Sequence, residues 1–386
     1  MRIVQLANMY SPTSGGLRTV VDALGRGYRA AGHDRILVVP GARTAVRRSA
    51  EGQLIALPGV PVGGGYRMVV RPSPVLRLLD RLAPDAVEVS DKATFVAVGG
   101  WARERGVRAV LFSHERLDAI LAARVPAAWR CGGPVLRSAV RRWNRHLAAS
   151  FETTVVTSAF AEREFAALGV STLRRVPLGV DLDVFRPARP SRRQGPLRLV
   201  YAGRLSPEKN PQAAIEAVRA LGRAGIPVRL DVHGDGSARD ALARRAVGLP
   251  VTFHGHLPDR RELARRLAAA DVALAPCPVE TFGLSVLEAL ACGTPVVAAA
   301  GGAASELLVP GTGVAAAPTG EGMARGAREV LSWPVAERRG AARRRAECFP
   351  WSATVEAMLA VHAGRPVTPS GRFMPQAVAA GMSPLL

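Results

Sequence analysis

The 386-residue sequence predicts two α/β domains, each a parallel sheet wrapped by helices. Three observations carry that prediction. Apolar runs of strand length alternate with segments of helical spacing through both halves. The chain is long for one domain. Near its middle, Ala188 to Pro196 is rich in Pro and Arg and reads as a linker.

In chain order, Arg2–Asn8 is an apolar strand, and Gly15-Gly16 opens a helix that runs to about Ala31. Strand-like runs recur at Ile36–Val39, Ala86–Val89, Ala109–Phe112 and Thr154–Thr157, with helical patterns between them. Pro58 to Pro74, with Gly63, Gly64 and Gly65, reads as a mobile loop. Glycine lets a backbone N–H approach a phosphate closely, so Gly15-Gly16 suits an anion; a plain turn is the default reading. His114, in Ser113-His-Glu-Arg-Leu-Asp118, follows a strand end, where open α/β sheets bind ligands. Zinc-protease helices need a second His, and a lone His is ordinarily structural. Leu136, Val140, Trp143 and Leu147 fall within about 60° on a helical wheel, with Arg137, Arg141, Arg142 and Arg145 opposite. That pattern fits an ordinary surface helix on the core or a helix lying on a membrane surface.

The junction Val176-Pro-Leu-Gly179-Val-Asp181-Leu-Asp183-Val-Phe185-Arg-Pro precedes the second half, which restarts with strand Leu197–Ala202. Gly203-Arg204-Leu-Ser-Pro-Glu-Lys209-Asn210 puts two cations at a strand end and a helix start, where they can neutralise a leaving diphosphate. Val228–Val232 leads to His233-Gly-Asp-Gly236, which lacks the third glycine of a dinucleotide fingerprint. Val251–Phe253 leads to His254-Gly255-His-Leu257. Between apolar runs at Asp271–Pro276 and Val296–Ala300, Gly283 opens a helix and Gly293 closes it. The N-terminus of that helix suits a diphosphate. Glu280 in the loop can accept from sugar hydroxyls, and Glu288, about two turns on, from ribose hydroxyls. Two glutamates eight apart are, taken alone, more often a solvated face. Phe349-Pro-Trp351 to about Gly364 reads as a last helix, and Arg365 to Leu386 as a disordered tail.

Glu280-Thr-Phe-Gly-Leu-Ser-Val-Leu-Glu288-Ala-Leu-Ala-Cys-Gly-Thr-Pro-Val-Val spells E-x7-E in its long form. With it the chain resembles the retaining glycosyltransferases of family 4, whose architecture is called GT-B, over all but its last residues. The resemblance implies two Rossmann-like domains facing across a cleft. An acceptor domain would span 1–178 and a donor domain 179–348, with a helix at 349–365 crossing back and a tail at 366–386. It implies that Glu280, Arg204, Lys209 and His114 serve the reaction. Gly16, Arg18, Gly255, Leu257, Phe282, Gly283, Leu284 and Glu288 would bind the donor. Gly301 to Glu306 matches a further family turn near the donor. Retention would proceed on one face, the departing phosphate taking the acceptor proton. No cofactor and no metal are expected: Asp181-Leu-Asp183 sits in a turn that the family shares, and the family is usually metal-independent.

The opening Val4-Gln-Leu-Ala-Asn-Met-Tyr-Ser-Pro-Thr-Ser-Gly-Gly16-Leu-Arg and Ser113 to Asp118 resemble the actinobacterial GDP-mannose-dependent α-mannosyltransferases, which build mannosylated glycolipids and lipoglycans. The implied donor is GDP-mannose and the implied acceptor a lipid or glycan. UDP-glucose or UDP-N-acetylglucosamine on a small acceptor, a non-catalytic nucleotide-sugar-binding module and a membrane-surface module remain alternatives.

Composition adds bounds. Lys and Arg number 52 against 31 Asp and Glu, a net +21, which favours polyanions such as an anionic membrane surface. Only Lys92 and Lys209 are lysines. No zinc-finger spacing or RNA-binding aromatic motif appears, so no specific nucleic-acid partner is expected. The scattered cysteines Cys131, Cys277, Cys292 and Cys348 read as reduced thiols. No apolar run reaches spanning length and no signal peptide is evident. The expected location is cytoplasmic, with peripheral attachment to the inner face of the plasma membrane as an option.

Overall fold

The structure is a computed structural model that describes residues 1–11, 15–63, 65–124, 133–188 and 195–367. Gly64, Cys131, most of the interdomain linker and residues 368–386 of the expected tail lie outside those residues.

The first sheet orders its strands Leu173–Arg175, Thr153–Val156, Arg108–Phe112, Ala86–Val89, Arg2–Leu6, Asp34–Gly41, Gly52–Pro58 and Ala45–Ser49. All neighbours are parallel except the last pair. The second sheet is wholly parallel: Val251–Gly255, Val228–His233, Leu197–Ala202, Val272–Ala275, Val296–Ala299 and Gly313–Ala316. Central strands such as Ile3–Leu6 and Val296–Ala299 are buried on both faces, which is why they read as largely apolar runs, with Gln5 the buried polar exception.

Each sheet reverses its winding direction at its first strand. Arg2–Leu6 lies between Ala86–Val89 and Asp34–Gly41, and Leu197–Ala202 between Val228–His233 and Val272–Ala275. Ligands of open α/β sheets bind beyond the strand ends at such points. The topology alone therefore selects the segments after Leu6 and after Ala202.

The junction is tight. Val180 pairs with Pro350 as an isolated bridge, and a Cβ on Gly179 would lie 2.5 Å from the Trp351 backbone nitrogen. Helix Trp351–His362 crosses back to pack on helix Gly15–Ala30, where a Cβ on Gly27 would meet Val355 Cγ2 at 2.2 Å. At its end, His362 enters a buried network with Tyr28 and Glu88 of the first domain. One apolar cluster accordingly runs through both domains, from Ile3 and Phe112 to Phe282, Leu287 and Phe349.

Helix Val335–Glu347 shows where part of the arginine goes. Arg339 donates to the Ala268 and Ala270 carbonyls at 2.6 and 3.0 Å, beyond helix Arg260–Ala268. Arg343 donates to the Ala291 and Phe185 carbonyls at 3.0 and 2.8 Å, and Arg345 to Leu307 at 2.8 Å. These are helix-end or turn carbonyls, which carry partial negative charge and lack intrahelical partners. Some of the positive excess is thus internal scaffolding rather than a surface for polyanions.

Three expectations are corrected. The stretch expected as a mobile loop holds an antiparallel ribbon, Val60–Gly63 with Tyr66–Met68, followed by helix Ser73–Leu82. Strands Ala45–Ser49 and Gly52–Pro58 escaped the sequence reading because the first is an exposed, arginine-containing edge. Helix Gly133–Ser150 exposes Arg137, Arg141, Arg142 and Arg145, but Trp143 is turned inward. Its indole Nε1 donates to the Lys92 carbonyl at 2.9 Å, and its ring packs on the first domain's core. Trp143 is therefore no membrane anchor. Among the described residues, no helix is long and apolar enough to cross a membrane.

Candidate functional site

The two switch points face each other. A Cβ on Gly16 would lie 3.7 Å from Leu284 Cδ1, so the start of helix Gly15–Ala30 abuts the start of helix Leu284–Ala291. Two helix N-termini, one from each domain, thus converge with their positive dipole ends and unpaired N–H groups. Gly283 enters the second helix at φ 99°, a left-handed turn natural to glycine. Phe282 is buried against Phe349, which leaves only its backbone for a ligand.

Arg204 and Lys209 line the donor side. The Arg204 guanidinium is exposed and has no partner among the described residues, while its carbonyl accepts from the Tyr201 hydroxyl at 2.9 Å. Lys209 Nζ donates to Glu280 Oε2 at 2.7 Å. Burial works against the charge on Lys209, but the Glu280 carboxylate outweighs it and holds the ammonium above its ordinary pKa. Among the described residues, two ammonium donors remain on Lys209 and one oxygen on Glu280. The backbone is fixed by Asn210, which takes the left-handed conformation and donates Nδ2 to the Pro318 and Pro276 carbonyls at 2.8 and 3.3 Å. The adjacent Cys277 thiol donates to the Glu208 carbonyl, and burial pushes its pKa up to about 11, so it stays an inert thiol.

The His233-Gly-Asp-Gly236 turn supports Arg204 from behind. Gly203 N donates to the His233 carbonyl and Leu205 N to the Asp235 carbonyl, each at 2.9 Å. A Cβ on Gly234 would lie 1.9 Å from the Gly203 carbonyl, so glycine is required there for close backbone approach. Gly255, at φ 74°, accepts from Gly234 N at 2.8 Å, and half-buried Leu257 follows it on the same edge.

Glu288 is buried and already engaged. Its Oε1 accepts from Arg260 at 2.8 Å, and Arg260 reaches on to Thr19 of the first domain at 3.4 Å. Burial raises the Glu288 pKa, and Arg260 opposes that rise. Its second oxygen has no partner among the described residues. Arg18 pairs with Asp22 on its own helix at 3.4 Å. The Asp181 carboxylate accepts from the Asp183 and Val184 amides, which makes it a turn cap.

On the acceptor side, His114 Nε2 meets Ser90 Oγ at 3.0 Å and its ring lies on Phe112. Burial holds its pKa down at about 4, so the imidazole is neutral near pH 7. The loop carrying it is held by Lys92 and Glu164: Lys92 donates to the Glu115 carbonyl at 2.5 Å, and Glu164 accepts from Leu117 N at 2.7 Å.

Sequence reasoning missed a set of residues at the domain contact. Thr281 Oγ1 donates to the His114 carbonyl at 2.7 Å, and the Thr281 carbonyl accepts from Thr157 at 2.9 Å and Ser158 at 2.6 Å. Glu306 accepts from the Ala159 and Phe160 amides. The matched turn at 301–306 therefore reaches the other domain. Nothing in the local sequence marks these pairs, because the partners are far apart along the chain.

Known proteins agree with this layout. The family described as glycosyl transferases group 1 matches residues 186–347, and the glycosyl transferase 4-like domain matches residues 15–181. A GDP-mannose-dependent alpha-(1-6)-phosphatidylinositol dimannoside mannosyltransferase of Mycobacterium tuberculosis is 44% identical over 374 residues, covering 93% of this chain and 95% of its own. A GDP-mannose-dependent alpha-mannosyltransferase of the same organism is 28% identical, over 83% and 85%. Sucrose-phosphate synthase from Thermosynechococcus elongatus superposes with a TM-score of 0.77 at 20% identity, over 94% of this chain and 98% of that one, which supports the GT-B fold. Matched in both halves, and nearly end to end by the first of these relatives, the chain belongs to the group 1 glycosyltransferases and is an enzyme of that family.

Proposed function

We propose that this glycosyltransferase moves mannose from GDP-mannose, with retention, onto a mannosylated phosphatidylinositol lipid. The observation that carries the reading is the convergence of two helix N-termini with Arg204 and Lys209 at the facing switch points. That arrangement suits a diphosphate, and a diphosphate becomes most anionic as the sugar leaves it. The two mannosyltransferase relatives supply the donor, and the first of them the lipid acceptor.

In this reading Gly16, Arg18, Arg204, Lys209 and the amides of Phe282, Gly283 and Leu284 hold the diphosphate. Glu280 accepts from the sugar hydroxyls with its unpaired oxygen, and Glu288 from the ribose. Gly255 and Leu257 border the base. Neutral His114 contacts the transferred sugar or the acceptor as a hydrogen-bonding group rather than a cation. As the resemblance implies, the departing phosphate takes the acceptor proton on the same face. No metal is called for, since two cations and two helix ends supply the positive charge.

The enzyme would meet its lipid as a peripheral protein on the inner face of the plasma membrane. Exposed Arg137, Arg141, Arg142 and Arg145 on helix Gly133–Ser150 favour an anionic surface. A donor panel tests the nucleotide part. Thermal denaturation should shift upward with GDP-mannose or GDP, and much less with UDP-glucose or UDP-N-acetylglucosamine, because a ligand that binds only the folded state stabilises it. A larger shift with a UDP-sugar than with GDP-mannose would overturn it.

A further inference from the structure

We propose that Thr281 and Glu306 are positioning residues that clasp the two domains and set Glu280 and Lys209 at a fixed register to His114. The proposal rests on the glycosyl-transfer reading above.

The clasp is one connected unit. Thr281 directly follows Glu280. Its hydroxyl donates to the His114 carbonyl at 2.7 Å, and its carbonyl accepts from the Thr157 and Ser158 hydroxyls at 2.9 and 2.6 Å. The Glu280 carbonyl accepts from Ala303 N at 2.9 Å, which ties the loop to helix Ala303–Glu306. At the end of that helix, the Glu306 carboxylate accepts from Ala159 N at 2.9 Å and Phe160 N at 2.6 Å. Those amides open helix Ala159–Ala166 of the other domain, where a carboxylate meets unpaired donors and the positive dipole end. Arg163 adds a bond to the Gly301 carbonyl at 3.3 Å, and Arg345 holds the Leu307 carbonyl from below at 2.8 Å.

The bonds of the Thr281 hydroxyl and carbonyl and of the Glu306 carboxylate all join the two domains, so they exist only when the cleft is closed. Opening the cleft would pull directly on the backbone beside Glu280 and on the loop that carries His114. Most of the groups assigned to the donor above belong to the second domain, Gly16 and Arg18 being the exceptions, so donor affinity depends less on the clasp than turnover does. The reacting geometry needs both domains, and a misplacement of about 1 Å can cost on the order of a hundredfold in rate. The clasp should therefore affect turnover more than donor binding.

The test uses the full-length enzyme with Thr281→Val, Thr281→Ser and Glu306→Gln. Thr281→Val removes one donor without losing the β-branch; Thr281→Ser restores it. In Glu306→Gln the side-chain oxygen can accept from only one of the two amides, while the NH2 faces the other N–H and cannot accept. We expect Thr281→Val and Glu306→Gln to lower kcat about tenfold or more, since a misplacement of about 1 Å at the reacting centre can cost on the order of a hundredfold. The dissociation constant for GDP should change less than about twofold, and Thr281→Ser should recover at least half of the wild-type kcat. Wild-type kcat in folded Thr281→Val would overturn the proposal, and so would a loss of kcat matched by an equal loss of GDP affinity. If Glu306→Gln fails to fold, Thr281→Val against Thr281→Ser decides by the same thresholds. If wild-type enzyme transfers no mannose but another sugar, the donor reading fails while the clasp is still measured with that sugar.

Discussion

The chain's two lysines make a controlled comparison, one in each domain and each paired with a glutamate. Lys92 meets Glu164 at 2.6 Å and Lys209 meets Glu280 at 2.7 Å. What differs is the capacity left over. The Glu164 side chain is 2% exposed, and its oxygens also accept from Leu117 N and Asn144. The Lys92 ammonium also donates to the Glu115 carbonyl. That pair is closed on itself and fixes the His114 loop. The Glu280 side chain is 23% exposed, and one of its oxygens has no partner among the described residues. An ion pair with unused donors and acceptors in a cleft can serve a ligand; a saturated one can only hold a loop.

This contrast predicts opposite phenotypes. The largest effect should come at the open site. Lys209→Ala or Arg204→Ala should lower kcat about a hundredfold, the usual loss when a donor at a developing anion is removed. Steady-state rates check this, with circular dichroism to show intact folding; near wild-type turnover in both would refute their role. The closed pair should fail differently. Lys92→Met leaves the buried Glu164 charge unpaired and should cost about 3 kcal/mol of stability by denaturant unfolding. GDP binding should survive, since the donor loop is in the other domain. Loss of GDP binding with unchanged stability would erase the distinction.

A smaller effect follows from two histidines, the half-buried His114 and the buried His233. His114 and His233 both have pKa values near 4, mainly from burial, with Lys92 and His254 respectively adding to the depression. Both values lie below the ordinary histidine value of about 6.5. Between pH 6.5 and 4 the unfolded chain binds more protons than the folded one, so stability falls as pH falls through that window. Unfolding free energy should be lower at pH 5 than at pH 7.5, with a shallower slope in His233→Gln. A flat profile in the wild type would contradict the assignment. The smallest effect on the enzyme itself concerns helix Gly133–Ser150, whose exposed arginines are proposed to meet an anionic surface. Changing Arg137, Arg141, Arg142 and Arg145 to Gln should weaken sedimentation with anionic vesicles by up to about 1 kcal/mol per residue at low salt, and leave GDP binding untouched. Unaltered vesicle binding would leave that helix as scaffold.

Much of the fold was legible because the central strands are largely apolar, some of them unbroken runs flanked by proline and glycine, as at Val296–Ala299. The edge strand Ala45–Ser49 was not, since an edge has one neighbour and tolerates arginine. The donor loop was legible because E-x7-E is local. Thr281, Glu306 and Arg260 were not: their partners Thr157, Ala159 and Thr19 lie in the other domain, and pattern within a short window carries no information about such pairings. Net charge misled in part. Arg339, Arg343 and Arg345 serve helix ends inside the protein, so the sum of +21 overstates the charge offered to a partner.

The proposed reaction is mannosyl transfer from a guanine nucleotide to a phosphatidylinositol mannoside. Its most direct test is purified enzyme incubated with GDP-mannose and phosphatidylinositol dimannoside in anionic vesicles, with product linkage read by mass spectrometry and NMR. One α-mannose should be added per lipid, with stoichiometric release of GDP, and both should slow about a hundredfold in Lys209→Ala. Transfer from UDP-glucose with none from GDP-mannose, or a β-linked product, would contradict it.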